Sequence, residues 1–289
     1  MEKTIDDIPF ENVSLTMLLL LYGRVMESRS ADPIIIDPRG EEIVDKINDQ
    51  LLSSSSKTLQ NLGRFKLSKR LAVHAAIRAR QYDLYTMEFM KANPECVVVN
   101  LGCGMDTRFF RIDNGKITFY DLDLPEVISF KRNLLAETER YQLLGCSVFD
   151  RSWLDLVLEH QKPIILLAEG LFMYLPAKEL KELLTAIADR INYGQLVAEV
   201  VHESYTRGFK KWLVDFKFKH ELNFDRPVSY QFGISDSDEL ERFSPRLKLI
   251  NDWSYFDSDH KKLGVLRYLK IYRKVQWTIR YQIGNQSRS

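Results

Sequence analysis

The sequence predicts an α/β protein built on a doubly wound, mostly parallel β-sheet, and three observations support this prediction. Short apolar runs typical of buried strands alternate with helical patterns from about residue 96 to residue 201. A glycine turn, Gly102-Cys103-Gly104, directly follows the first of these runs. Acidic residues stand where two later runs end, at Asp123 and Glu169. Because parallel strands present their carboxyl ends at one edge of a sheet, the pattern predicts a Rossmann-like sheet with a ligand site at that edge.

Residues 1–95 are predicted to form an N-terminal helical cap, or lid, because helical spacing dominates this part of the chain. Leu15 and Leu18 belong to an apolar stripe at that spacing, and Pro38 stands where a second helix can begin. A further helix, over about residues 71–91, leads into the first strand.

Residues 96–289 are predicted to form one domain around a seven-stranded sheet. The strands are expected, in chain order, over residues 97–99, 117–120, 141–146, 163–168, 195–201, 247–253 and 263–272. Helical segments between the first five strands predict right-handed parallel crossovers, and an antiparallel C-terminal strand completes the sheet. Residues 203–245 are aromatic and charged, and they are predicted to form a helical lid insertion after the fifth strand. The last dozen residues are expected to fray.

Composition narrows the possible partners and compartments. The chain has 289 residues, 28% of them charged, and a formal net charge of +1. This balance argues against nucleic acid or an anionic membrane as an obligatory partner, although a local basic patch stays possible. The sequence contains no cluster of cysteines and histidines that would indicate a metal site, and its three cysteines cannot all form disulfide bonds with one another. The acidic start and the short apolar run at residues 17–22 favour a cytoplasmic protein without a membrane span.

Residues suited to ligand binding stand at four successive predicted strand ends: Gly102, Gly104, Asp121, Asp123, Ser147 and Glu169. Each of the polar residues alone could be an ordinary loop or helix-cap residue. Their coincidence at one edge favours a binding site for a nucleoside-containing ligand. Thr107 replaces the third glycine of the dinucleotide fingerprint, which argues against a nicotinamide cofactor.

Three runs of the sequence carry a more specific resemblance. They are NLGCGMDTRFFR at residues 100–111, YDLDLPEVI at 120–128 and AEGLFMYL at 168–175, and two stretches at 21–38 and 70–83 extend the match. Together they resemble the leucine carboxyl methyltransferase family of class I S-adenosylmethionine-dependent methyltransferases. Within the family, the sequence more closely resembles bacterial members of the tetracenomycin polyketide O-methyltransferase type. The resemblance covers about the first two thirds of the chain.

The resemblance implies roles at the methionine end of S-adenosylmethionine. Arg78 matches the family arginine that pairs with the methionyl carboxylate, and its neighbour Arg80 stays an alternative. Glu169 matches the acid that receives the methionyl ammonium, and Gly102 would let the backbone pass close to the methionine. Some relatives place a lysine where Met17 stands, which leaves Arg78 with more of the carboxylate's charge.

The same resemblance implies roles at the nucleoside end. Asp123 would accept hydrogen bonds from both ribose hydroxyls, and Asp121, where the family has another acid, would shape the same loop. Ser147 and Val148 occupy the position that contacts adenine. An aspartate often stands where this chain has Ser147, so the contact to the adenine amino group is the least certain of these roles.

The reaction asks little of catalytic side chains, because the methyl group of a sulfonium is already activated. An ionised carboxylate acceptor needs no base, whereas a hydroxyl acceptor benefits from one. Tyr174 is predicted to contact the acceptor oxygen, and His202 is the candidate base at the end of the fifth strand. A lone histidine at a strand end is more often a structural hydrogen-bonding residue.

Four functions are consistent with these features. The leading hypothesis is an O-methyltransferase that acts on a carboxylate or hydroxyl oxygen of a small polyketide-like or aromatic acceptor, as a monomer or homodimer. The second is a protein methyltransferase that acts on a C-terminal leucine carboxylate. An NAD-dependent oxidoreductase is disfavoured by the missing glycine, and a non-catalytic binding protein is disfavoured by the intact acidic residues.

Overall fold

The computed structural model of the protein describes residues 12–212, 215 and 229–284. Seven strands form one sheet: β1 Val97–Leu101, β2 Thr118–Asp123, β3 Tyr141–Gly145, β4 Ile164–Ala168, β5 Tyr193–Val201, β6 Leu247–Trp253 and β7 Gln276–Gly284. Their order is β3-β2-β1-β4-β5-β7-β6. Strands β1 to β5 pair in parallel, and β7 runs antiparallel to both of its neighbours. The predicted Rossmann-like sheet, with its antiparallel C-terminal strand, is therefore confirmed.

Eight α-helices surround the sheet in the described part of the chain: α1 Asn12–Ser28, α2 Pro38–Ser53, α3 Lys57–Gly63, α4 Lys69–Ala92, α5 Arg108–Ile112, α6 Pro125–Arg132, α7 Ser152–Leu158 and α8 Ala177–Arg190. The start of α2 shows how the sequence sets a boundary. Pro38 occupies the first turn, where a missing backbone N–H costs nothing, and the Asp37 side chain accepts a hydrogen bond from the Gly40 N–H at 3.0 Å.

The central strand β1 divides the hydrophobic core into two layers. All five of its residues are buried, and successive side chains point to opposite faces of the sheet. Val98 belongs to the layer that also contains buried residues of α1 and α4. Val97 and Val99 belong to the layer that contains residues of α7 and α8. The N-terminal helices and α4 therefore cover one face of the sheet, and α7 and α8 cover the other.

The final strand lies later in the chain than predicted. Residues 263–272 form short 3-10 turns, and Gly264 turns the chain there with a φ of +54°. Val265 and Ile271 are 77% and 87% exposed, and of the alternating apolar residues only Leu263 is buried, so the alternation does not bury a continuous face. The alternating residues of β7 are buried: Trp277, Ile279, Tyr281 and Ile283. The predicted strand at 263–272 was therefore wrong, because an alternating run is held as a strand where one of its faces is buried. The predicted fraying of residues 278–284 was also wrong, because these residues belong to β7.

The predicted lid insertion at 203–245 lies partly outside the described residues, at 213–214 and 216–228. Its described parts are a 3-10 turn at Glu203–Tyr205, a helical stretch at 208–212 and a second 3-10 turn at Glu239–Arg242. Residues 285–289, the end of the segment predicted to fray, also lie outside the description.

Candidate functional site

A cavity of about 550 Å³ opens at the carboxyl edge of β1, β2 and β4 and is covered by α1. Its volume lies in the range of small-molecule sites. Eight of the ten predicted site residues line it: Arg78, Gly102, Gly104, Asp123, Ser147, Val148, Glu169 and Tyr174. Asp121 and His202 are not among the lining residues. The carboxyl edge therefore gathers most of the predicted site into one cavity.

The glycine turn requires glycine at both positions. Gly102 has a φ of +65°, and a side chain there would lie 2.9 Å from Leu171. Gly104 has a φ of +46°, and a side chain there would lie 3.0 Å from the Cβ of Met17 on α1. Both backbone angles are strained for any residue with a Cβ atom. The turn therefore packs closely between α1 and the loop after β4, with its backbone at the cavity surface.

Asp123 presents a fixed carboxylate at the end of β2. Its Oδ2 accepts a hydrogen bond from the Gly104 N–H at 2.7 Å, and its Oδ1 accepts one from the Leu124 N–H at 2.8 Å. Burial raises the pKa of Asp123 above its usual value, and the two backbone donors offset this only in part. Each oxygen keeps a further lone pair, so the carboxylate can accept hydrogen bonds from a vicinal pair of hydroxyls in the cavity.

Asp121 has a different environment from that of Asp123. It is 2% exposed, and its Oδ2 lies 2.8 Å from Lys131 Nζ and 2.7 Å from the Tyr141 hydroxyl. Its Oδ1 accepts a hydrogen bond from Asn100 at 2.9 Å. The structure therefore places Asp121 behind the cavity, as an anchor for the loop residues and not as a direct ligand contact.

Arg78 of α4 lies between two glutamates. Its Nε donates to Glu169 Oε1 at 2.8 Å, and its Nη1 donates to Glu199 Oε2 at 2.8 Å. Arg80, the alternative to Arg78, is exposed. Burial alone would raise the pKa of Glu169, but the guanidinium groups of Arg78 and Arg108 outweigh it and lower that pKa. Glu169 is therefore ionised and can attract a cationic group of a ligand.

Arg108, at the start of α5, binds three carboxylates. Its Nε donates to Asp83 at 2.7 Å, its Nη2 donates to Glu169 Oε2 at 2.6 Å, and its Nη1 lies 2.6 Å from Asp106. The guanidinium is completely buried. Burial would raise the pKa of Asp106, but Arg108 and then Arg111 reverse this effect and lower it strongly. This ion-pair network fixes one end of the cavity.

The same network reaches the N-terminal helices through Arg24 and Asp37. Arg24 lines the cavity, donates to the Met105 carbonyl at 2.7 Å, and pairs with Asp37 at 3.2 Å. The Thr107 hydroxyl donates to the other oxygen of Asp37 at 2.5 Å, and Arg111 lies 3.4 Å from this carboxylate. The loop after β1 is therefore held directly by α1 and by the first turn of α2.

The remaining predicted residues divide into lining and non-lining positions. Ser147 and Val148 follow β3 and line the cavity, where Val148 adds an apolar surface that is 7% exposed. Tyr174 also lines it, and burial, with Glu199 second, raises the pKa of its hydroxyl to about 12. His202 lies at the end of β5, where its Nδ1 accepts a hydrogen bond from the Ser204 N–H at 3.1 Å. His202 therefore makes a local hydrogen bond after β5 and does not line the cavity, and its role as a base stays a prediction.

The residues that the sequence analysis missed are mainly the partners of predicted ones. Glu199, Asp83, Asp106 and Arg108 form ion pairs with one another or with Arg78 and Glu169. Asp106 and Arg108 belong to the NLGCGMDTRFFR run, so the motif included both residues, but it did not predict their ion pairs. Nothing in the spacing of Glu199 within β5 marked it.

Neither a metal site nor a membrane span is found in the part of the chain that the structure describes. No group of three or more histidine, cysteine or acidic residues there could hold a metal ion. No helix among the described residues is long and apolar enough to cross a bilayer.

Known proteins similar to this chain are methyltransferases. It is 27% identical to the tetracenomycin polyketide synthesis O-methyltransferase TcmP of Streptomyces glaucescens, over 88% of this chain and 87% of that protein. It is 28% identical to the S-adenosyl-L-methionine-dependent methyltransferase dpfgK of Gibberella zeae, over 94% of this chain and 91% of that protein.

Solved structures support the same fold. A DUF574 family protein from Streptomyces avermitilis matches 92% of this chain and 96% of its own, with a TM-score of 0.56 and 13% identity. An S-adenosylmethionine-dependent methyltransferase from Anabaena variabilis matches 71% of this chain and 84% of its own, with a TM-score of 0.50 and 13% identity.

The fold and these relatives define the chain as an S-adenosylmethionine-dependent methyltransferase, with S-adenosylmethionine as its cofactor. The sequence model of the leucine carboxyl methyltransferase family matches residues 18–188, which is more than half of the chain. The protein therefore belongs to that family, and the predicted family and cofactor are confirmed.

Proposed function

We propose that the protein transfers a methyl group from S-adenosylmethionine to a carboxylate or hydroxyl oxygen of a small polyketide-like or aromatic acceptor. The observation that carries this proposal is a cavity whose lining combines charged and uncharged residues. We assign the charged residues Arg78, Asp123 and Glu169 to a cofactor side. We assign a set of uncharged lining residues to an acceptor side: Leu20, Leu171, Tyr174, Leu175 and Gln231. An apolar acceptor suits such a surface, because its binding leaves no charged group buried without a partner.

The cofactor side offers the donor and acceptor groups that S-adenosylmethionine requires. Asp123 would accept the ribose hydroxyls, since its two oxygens already lie fixed at the cavity edge. Arg78 would pair with the methionyl carboxylate and Glu169 with the methionyl ammonium. Ser147 and Val148 would contact the adenine ring.

The turn at Gly102 and Gly104 would let the backbone approach the ligand, because any side chain at either position would meet its neighbours. Asp121 would support this turn through the loop contacts it makes behind the cavity. Asp123 and Glu169 fit the cofactor as carboxylates held at the cavity surface, one by backbone donors and one by arginines.

When bound, S-adenosylmethionine supplies an activated methyl group, so the chain's own residues chiefly orient the acceptor and exclude water. Tyr174 would donate a hydrogen bond to the acceptor and help to hold its oxygen in line. Its raised pKa makes Tyr174 a proton donor and not a base at neutral pH. A carboxylate acceptor needs no base, and His202 has no cavity contact that would support the base role predicted for it.

Two segments would close the acceptor side. Thr16, Met17 and Leu20 of α1 line the cavity, which supports a covering role for the N-terminal cap of residues 1–95. Ser229 and Gln231, in the described part of the insertion, also line the cavity, and the Gln231 side chain donates to the Tyr174 carbonyl at 2.8 Å. We propose that this insertion, within the 96–289 methyltransferase domain, completes the lid of an enzyme that acts as a monomer or homodimer.

A C-terminal leucine carboxylate of a protein is the alternative acceptor, favoured by the family to which the chain belongs. The two functions share the cofactor side of the cavity and differ only in what reaches the acceptor side. The chemistry of the product separates a carboxylate acceptor from a hydroxyl acceptor, because a methyl ester releases methanol in alkali and a methyl ether does not.

Binding and transfer experiments test the proposal in two stages. Isothermal titration with S-adenosylhomocysteine should show binding that Asp123→Ala weakens by about a hundredfold, since two charge-assisted hydrogen bonds are lost. Asp155→Ala, at an exposed surface aspartate, is the control and should bind normally. Transfer of a radiolabelled methyl group is then measured on aromatic hydroxy acids and on a peptide that ends in leucine. No binding by the natural protein would refute the proposal, and labelling of the peptide alone would replace it with the alternative.

A further inference from the structure

Glu199 is a buried acid with no role in the function proposed so far. It lies near the end of β5, is 3% exposed, and does not line the cavity. Its Oε2 accepts a hydrogen bond from Arg78 at 2.8 Å, and its Oε1 accepts one from Gln276 at 2.7 Å. Gln276 is the first residue of β7, the antiparallel strand. Both oxygens of Glu199 are therefore engaged, one toward the site and one toward the sheet.

Glu199 and Glu169 hold Arg78 on two sides. Glu169 lines the cavity and takes the Nε hydrogen bond, whereas Glu199 stands behind it and takes the Nη1 hydrogen bond. The remaining nitrogen of Arg78, Nη2, makes no hydrogen bond to the described residues. A Cβ atom at Gly170 would lie 3.4 Å from Glu199 and 3.6 Å from Arg78, so these groups sit directly against the loop that lines the cavity.

This arrangement has a consequence for a ligand with both an ammonium and a carboxylate. The ammonium of such a ligand must pair with Glu169, which is already paired with Arg78. A buried guanidinium that loses part of its only carboxylate partner would be strongly destabilised. With Glu199 as its second partner, Arg78 stays neutralised and oriented while Glu169 turns to the ligand. Burial raises the pKa of Glu199, and Arg78 offsets this in part.

We propose that Glu199 is a positioning residue for cofactor binding. It holds Arg78 in place while Glu169 also binds the methionyl part of S-adenosylmethionine, and Gln276 holds Glu199 in turn. The inference rests on the roles proposed above for Arg78 and Glu169. Glu199 contacts neither the cavity nor the reacting atoms, so it acts only through the arginine.

Two ligands separate this role from a general structural one. S-adenosylhomocysteine carries the amino-acid part, and 5′-methylthioadenosine has the same nucleoside and sulfur without it. Glu199→Gln keeps the shape of the side chain and removes its charge. It should weaken S-adenosylhomocysteine by about tenfold, the loss of one charge-assisted hydrogen bond, and leave methylthioadenosine within about twofold. Gln276→Leu should act in the same direction but more weakly, at about threefold.

The controls distinguish failure of this inference from failure of the proposed function. Asp123→Ala should weaken both ligands, because both contain the ribose. Glu88→Gln, at an exposed glutamate on the same helix as Arg78, should weaken neither. If Glu199→Gln leaves both affinities unchanged, or lowers both equally, the inference is wrong while the proposed function stands. If the natural protein binds neither ligand, the proposed function itself fails.

Discussion

The two sides of the cavity are fixed by different forces. On the cofactor side, charged groups are locked by ion pairs and backbone donors, with Asp123, Glu169 and Arg78 each held by at least two partners. On the acceptor side, Leu171, Tyr174 and Gln231 lie in a loop and an extended segment joined by a few hydrogen bonds. Directed ion pairs preserve a ligand geometry, whereas apolar surfaces tolerate changes of shape. The contrast suits an enzyme with one fixed cofactor and an exchangeable acceptor.

The acids on the two ends of the cofactor side also differ from each other. Burial dominates at Asp123 and raises its pKa, because only backbone N–H groups compensate it. Burial also acts to raise the pKa of Asp106 and Asp37, but neighbouring arginines together outweigh it and lower the pKa of both acids. In the proposed assignment, the end that would hold the nucleoside therefore has a carboxylate with a raised pKa, and the end that would hold the methionine adjoins acids whose pKa is lowered by ion pairs. Variants and pH can test these differences.

The largest expected effect follows from removing Arg108. Arg108→Leu leaves Asp83, Asp106 and Glu169 without a shared buried cation, so we expect the free energy of unfolding to fall by about 3–5 kcal/mol. Denaturant unfolding, followed by circular dichroism, measures this change. Arg190→Leu removes an arginine whose pair with Asp155 is exposed, and it should change stability by less than about 1 kcal/mol. Equal losses in the two variants would show that burial of the network contributes nothing.

A second expected effect concerns acid. An acid whose pKa is lowered by folding stabilises the protein above its unfolded pKa and loses that contribution as the pH falls through the folded pKa. Asp37, Asp106 and Glu169 are such groups, so stability should decline below about pH 4, the usual range of unfolded carboxyls. Asp123 has the opposite sign, because its raised pKa lets it protonate at a higher pH than these three.

Titration and unfolding, measured over the same pH series, check this order. The affinity for S-adenosylhomocysteine should fall, by about twentyfold, at a pH where the protein is still fully folded, since protonation of Asp123 weakens its charge-assisted hydrogen bonds. Simultaneous loss of affinity and of structure would contradict the assignment. Arg108→Leu should show a smaller decline of stability in acid than the natural protein.

The difference between the two ends also explains which parts the sequence revealed. Gly102, Gly104 and Asp123 stand in local patterns, a tight turn and a strand end, that depend on neighbours in the chain. The ion pairs do not: Arg78 and Glu199 are 121 residues apart, and Arg108 and Asp83 are 25 apart. Only the folded sheet brings these partners together, so the family resemblance implied a role for Arg78 but did not reveal its partners.

The misplaced final strand has a related cause. Alternation at residues 263–272 and at 276–284 is similar in the sequence, and only burial distinguishes the two. β7 is inserted between β5 and β6, where Trp277, Ile279, Tyr281 and Ile283 on one of its faces join a core layer. A short alternating run therefore predicts that a strand with one buried face occurs in this part of the chain, but it does not predict which of two neighbouring runs forms the strand.

The smallest expected effect concerns the acceptor side. Tyr174→Phe removes one hydroxyl that would donate to the acceptor, so kcat/KM for a methylated acceptor should fall by about tenfold while the affinity for S-adenosylhomocysteine stays unchanged. His202→Gln is the comparison, because this side chain faces Ser204 and not the cavity, and its kcat/KM should stay within about twofold. A pH–rate profile completes the test: a base at His202 would give a rate that rises with pH, and the glutamine variant would lose this rise. Such a profile would restore the histidine as the catalytic base and make the acceptor a hydroxyl, whereas a flat profile favours a carboxylate held by Tyr174.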